Sequence, residues 1–149
     1  MALNKIFAST QERHRSRELA GMTAPSTPLT TIQPGTPVKF ADGGAVALTA
    51  SGNGTVTETT NLPSDITSVT YKNGGVGNPS GNASFAFDGT FEFPVTGATT
   101  STANGVEIFI VTATGVLNTA ATSATHFGWT DYPVGYTKEA GRACVRIGA

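Results

Sequence analysis

The groups able to carry chemistry in this 149-residue chain are few and scattered. There are two histidines, His14 and His126, and one cysteine, Cys144. His126 with Asp131 and one of several serines would make a hydrolytic triad, in which a carboxylate orients an imidazole that activates a hydroxyl. No Gly-x-Ser-x-Gly elbow is present to offer that serine. His126 reads as well as a strand-edge residue bonded to backbone, so no catalytic residue is expected. One cysteine and two distant histidines give no metal-ligand pair at finger or His-Glu-x-x-His spacing, so no metal is expected either. The run "GGVGNPSG" (74–81) resembles a phosphate loop in composition only. It lacks the Lys-Ser/Thr ending, and Ser80 stands where the third Gly of Gly-x-Gly-x-x-Gly belongs. Asp88 and Glu92 are two neighbouring carboxylates, but a turn accounts for Asp88 and strand alternation for Glu92. No cofactor is expected.

Cys144 lies in "RACVRI", where alternation sets it opposite Ala143, Val145 and Ile147, as a small residue in a strand and not a nucleophile. A lone cysteine forms no internal disulfide. The formal charge is −1 and the isoelectric point about 6.1, which gives no reason to expect nucleic acid as a partner. The most basic run, "ERHRSRE", lacks interleaved aromatics, and an acidic protein surface explains it equally well; a protein partner is the favoured reading. No apolar run reaches the roughly 20 residues of a membrane span. The opening residues carry charges where a secretory signal has its apolar stretch, so synthesis and folding in a cytoplasm are expected. Asn53 and Asn82 sit in glycosylation triplets, read as chance matches without export.

Only 13% of residues are charged, against roughly 25% in average proteins. Thr, Ser, Asn and Gly supply the polar surface instead, a composition suited to strands and tight turns. The expected fold is all-β: a small β-barrel or β-sandwich over residues 29–149, behind an extended N-terminal arm and linker at residues 1–28 with room for a short helix. Ser9 and Glu12 have capping-box spacing, Gly21 is a stop signal, and Pro25 and Pro28 follow. That helix has almost no apolar face, so the arm is expected to order against a partner. Leu3, Ile6, Phe7, Arg13, Arg15 and Arg17 are its candidate binding residues. A frayed terminus without a role is the alternative.

Beyond residue 28, short strands with turn signals every 8–12 residues point to a sandwich or barrel. "TVTETT" and "DITSVTYK" read as a pair, and 73–82 as a loop. "GVEIFIV" alternates so as to be buried on both faces. "ASFAFDGTFEFP" (83–94) holds four of the eight phenylalanines. Asp88-Gly89 between them predicts a hairpin. A two-residue loop would set the pairs Phe85/Phe87 and Phe91/Phe93 on opposite faces; a three-residue loop would gather all four rings on one. These four, with Phe109 and Trp129, are the expected core or subunit-interface residues.

Three stretches in order resemble the head decoration (capsid cement) proteins of tailed bacteriophages: "IQPGTPVKFADGGAVAL" (32–48), "FDGTFEFPVTGATTSTANGVEIFIV" (87–111) and "FGWTDYPVGYTKEAGRACVRIG" (127–148). The 28-residue arm and the stretch 50–82 depart from the compact members. The resemblance implies a β-rich domain, usually trimeric, on the capsid exterior at three-fold and quasi-three-fold positions of the virion. There it would bridge subunits of the phage major capsid protein and stabilise the head. A tail or fibre component of the virion is the alternative, then a cell-surface adhesion module or a small hydrolase.

Overall fold

The computed structural model describes residues 4–7, 14–51, 54–60, 62–73 and 81–148. These build thirteen strands: β1 (Asn4–Phe7), β2 (His14–Glu18), β3 (Met22–Ala24), β4 (Pro37–Phe40), β5 (Gly43–Ala47), β6 (Gly54–Glu58), β7 (Val69–Asn73), β8 (Asn82–Ala86), β9 (Gly89–Pro94), β10 (Glu107–Val111), β11 (Leu117–Asn118), β12 (Ala124–Thr130) and β13 (Arg142–Ile147). One antiparallel sheet has the order β1-β9-β13-β12-β10-β11 and a second the order β2-β8-β5-β4-β3, while β6 and β7 pair as a separate hairpin. The all-β sandwich expectation holds.

Period-two alternation explains how the second sheet is buried on both faces. Along β4 and β5, Val38, Phe40, Ala45 and Ala47 enter one apolar cluster, together with Phe85 and Phe87. Their neighbour Val46 turns the other way, into a cluster with Phe91, Phe93, Ile108, Ile110, Phe127, Val145 and Ile147 of the first sheet. The sandwich core therefore lies between the sheets, and a second core lies behind the second sheet.

Leu19, Met22, Ile32 and the half-buried Leu29 close that second core. This corrects the helix expected in the N-terminal segment. Residues 14–18 are extended and pair in register with β8, from His14↔Ala86 to Glu18↔Asn82. Only Leu19–Gly21 makes a single 3₁₀ turn. Leu19 is 2% exposed and Ala24 fully buried, so β2 and β3 gain more by joining the sheet than a short helix without an apolar stripe gains alone. The Ser9–Glu12 capping box lies outside the described residues. At the expected boundary near residue 28 the chain stays attached, the Ser26 N–H donating to the Thr112 carbonyl.

A second correction concerns the phenylalanine hairpin, because β8 and β9 do not pair. β8 belongs to the second sheet and β9 to the first. Asp88-Gly89 is a corner by which the chain passes between layers, with Gly89 at φ 119°, a backbone region that other residues rarely adopt. Phe85 and Phe87 thus end in one core and Phe91 and Phe93 in the other. Neither hairpin register is formed. In β10, Ile108 and Ile110 are fully buried, while Phe109 and Val111 are half-buried on the outer face.

Candidate binding surface

β2 is an edge strand, and edge strands carry charges that discourage indiscriminate pairing. Two of the arginines singled out above lie on it. Arg15 is exposed, with 51% of its side chain accessible and a distant contact to Asp42 at 3.8 Å. Arg17 is occupied within the chain. Its Nη2 donates to Asp42 Oδ2 at 2.5 Å, and its guanidinium carbon lies 5.5 Å from the Phe87 ring centre and 6.0 Å from that of Phe40. Leu3 and Arg13 lie outside the described residues. Ile6 and Phe7 belong to β1, whose backbone pairs with β9.

The Asp42 turn leads to a cavity of about 190 Å³ where the ends of the two sheets meet, lined among others by Lys39, Asp42, Gly43, Gly44, Phe127 and Gly148. Lys39 faces the first sheet because Val38 and Phe40 on either side of it face the second core. Its ammonium donates to the Thr125 hydroxyl at 2.8 Å and to the His126 carbonyl at 2.6 Å. Burial lowers its pKa from the ordinary lysine value. Gly44 permits this approach of the sheets, since a Cβ there would lie 2.7 Å from the Phe127 carbonyl oxygen.

The outer face of the first sheet carries a second group of polar and aromatic side chains. Cross-strand pairing sets Glu107 beside Trp129, Phe109 beside His126, and Trp129 beside Arg146. His126 corrects the strand-edge expectation: β12 is an interior strand, and His126 Nδ1 lies 2.8 Å from Glu107 Oε1. Its ring centre is 5.3 Å from that of Trp129. Asp131 lies instead within reach of the Thr90 hydroxyl, which donates to it at 3.3 Å. His126 therefore takes Glu107, not Asp131, as its carboxylate neighbour. Phe109 and Trp129 are half-buried here, whereas Phe85, Phe87, Phe91 and Phe93 are in the cores.

Toward β9, the loop 131–141 covers the same outer face. Tyr132 and Tyr136 have ring centres 5.6 Å apart and pack with the fully buried Cys144. Burial, with smaller contributions from Glu92 and Asp131, pushes the Cys144 thiol up to about 11 against a lowering hydrogen bond from Tyr136. Such a thiol is not a nucleophile near neutrality. Glu92 Oε1 accepts from Arg142 Nε at 2.5 Å, as a polar alternate of Phe91 and Phe93 should. At the tip of the loop Val134 is fully exposed. Among the described residues, no three His, Cys, Asp or Glu side chains gather as a metal site, and no helix is long and apolar enough to cross a membrane.

Reasoning from sequence missed Lys39, Asp42 and Glu107. The signal available for Lys39 was its place between two apolar strand residues, which fixes the face it occupies but not what meets it. No protein-family model matches this chain, and no curated protein or solved structure matches it either.

Proposed function

We propose that this chain is a capsid decoration protein that binds the outer surface of a tailed-phage head and stabilises the lattice of the major capsid protein. The reading rests first on the three stretches that resemble the cement proteins. Those stretches supply β4, β5, β9, β10, β13 and the latter part of β12, strands drawn from both sheets of the sandwich. The observation that carries the reading is the exposed arginine-bearing edge strand β2, built by the segment expected to attach. Among the described residues no strand pairs with the outer side of β2; an edge strand can offer backbone hydrogen bonds to an incoming chain, and Arg15 offers charge for acidic capsid residues. Repetition over many lattice positions would let each contact be modest.

In this reading Arg15, with Arg13, Leu3, Ile6 and Phe7, attaches the protein. Arg17 holds the Asp42 turn in place behind them. A homotrimer at three-fold and quasi-three-fold positions, on the capsid exterior and assembled in the host cytoplasm, belongs to the same proposal, as does the absence of catalysis. The test is co-sedimentation with heads stripped of decoration protein, alongside light scattering of the free protein. Binding at a fixed ratio to the capsid subunit, weakened by Arg15→Glu with the fold intact, is the expected result. Rings or fibres that ignore heads would assign a tail or fibre part and overturn it.

A further inference from the structure

The Lys39 cavity has a chemistry of its own. An ammonium group has three N–H donors. Two of them are taken by neutral oxygens, of Thr125 and His126. No carboxylate among the described residues comes within ion-pair distance of Lys39. Asp42 borders the same space, but its Oδ2 is held by Arg17 at 2.5 Å with Arg15 behind it. Among the described residues nothing takes the remaining N–H of Lys39, which sits in a partly desolvated position beside about 190 Å³ of space. For scale, an engineered cavity of about 150 Å³ takes up a benzene. The volume accommodates a carboxylate with its methylene stem. The lowered pKa of Lys39 has burial as its cause, as desolvation does to an ammonium. Of the three glycines that line the cavity, Gly43, Gly44 and Gly148, only Gly43 faces open space, a Cβ there meeting nothing within 4 Å.

We propose that this cavity receives a single carboxylate, the side chain of an aspartate or glutamate on a protein partner, with the Lys39 ammonium as its counter-charge and hydrogen-bond donor. It rests on the reading of the chain as a protein that docks on another protein, and adds to the basic edge strand a socket for one acidic side chain. Arg15, on the neighbouring edge strand, would meet further acidic residues of the same partner.

The test uses the full chain in solution, with backbone amides and the lysine ammonium followed by NMR. Sodium acetate is titrated against sodium chloride at equal ionic strength, and then N-acetyl-aspartate amide is used as the side-chain mimic. Saturable shifts at Gly43, Gly44, Gly148 and Lys39 with acetate but not chloride, with a Kd on the order of 1 mM, are expected. Tighter binding of the aspartate mimic than of acetate is expected as well. Acetate that moves none of these signals overturns the proposal, whatever the chain does with heads. A mimic that binds no tighter than acetate assigns the cavity to a free small carboxylate and overturns the partner. Lys39→Met should abolish the shifts, and shifts persisting in that variant would also overturn it. Should the variant fail to fold, the wild-type titration decides alone, by which amides move. Failure to bind heads leaves these results standing, so the two readings fail separately.

Discussion

The ammonium of Lys39, on β4 of one sheet, donates to the carbonyl oxygen of His126, on β12 of the other, at 2.6 Å. With its bond to the Thr125 hydroxyl, this is a polar tie across a mainly apolar seam. Lys39→Met keeps the stem and removes both hydrogen bonds. Hydrogen bonds to charged groups contribute about 1.5–3 kcal/mol, so the variant should unfold at lower urea with an unchanged slope. An unaltered midpoint would mean that solvent replaces the tie at no cost.

Gly44 gives a prediction whose sign is opposite to the usual one. Replacing a strand glycine by alanine ordinarily stabilises by about 0.5–1 kcal/mol. Here the new Cβ would meet the Phe127 carbonyl oxygen at 2.7 Å, where neither backbone can yield without parting the sheets. Gly44→Ala should therefore lose about 1–3 kcal/mol, the range of overpacked cores. Thermal denaturation of the variant beside the parent protein decides it.

The N-terminal segment separates folding from attachment. Leu19 is 2% exposed within the second core, so Leu19→Ala should cost about 2–5 kcal/mol. Arg15→Ala, at an exposed position, should stay within about 0.5 kcal/mol of the parent. Deleting residues 1–28 removes β1, β2 and β3 with the buried Leu19, Met22 and Ala24, and should yield a chain without a cooperative transition. A truncated chain that still melts cooperatively would show that the second core can close without them.

Alkaline pH should weaken the fold through the outer-face cluster. The thiol of Cys144 is pushed from 9.0 to about 11, and burial also raises the phenols of Tyr132 and Tyr136. Each group holds its proton in the folded state at pH values where the unfolded chain releases it. The folded state then binds more protons, and stability falls as pH rises. For Cys144 the loss begins near pH 9 and continues to about pH 11. Melting temperatures measured from pH 7 to 10.5 should decline above pH 9. A disulfide reagent should label the thiol only in denaturant.

Much of this architecture was legible from alternation. "RACVRI" and "VEIFIV" became β13 and β10, the Thr-rich pair became β6 and β7, and the four phenylalanines of 83–94 are buried. What alternation does not contain is the identity of a strand's neighbour. Asp88-Gly89 signals that the chain reverses, a local property of φ at glycine, yet the partner of each strand is chosen by the packing of whole layers. The same limit hid the roles of "HRSRE" and Lys39. A strand of alternating charges carries no apolar stripe, and it is held here by β8 and by Arg17 lying against Phe87 and Phe40. Glu107 was legible only as a polar residue at a strand start, because its meeting with His126 depends on the pairing of β10 with β12.

The crossing at Phe87–Gly89 has a mechanical consequence. β8 lies inside one sheet, between β2 and β5, and β9 lies inside the other, between β1 and β13. Residues 82–94 are therefore one unbroken length of backbone anchored in the middle of both layers. Tension applied at the exposed β2 edge passes through the hydrogen bonds to β8, then along covalent bonds around the corner into the centre of the first sheet. The layers cannot slide apart at that corner unless β8 or β9 is first drawn out of its sheet, so a load on one face is shared by both.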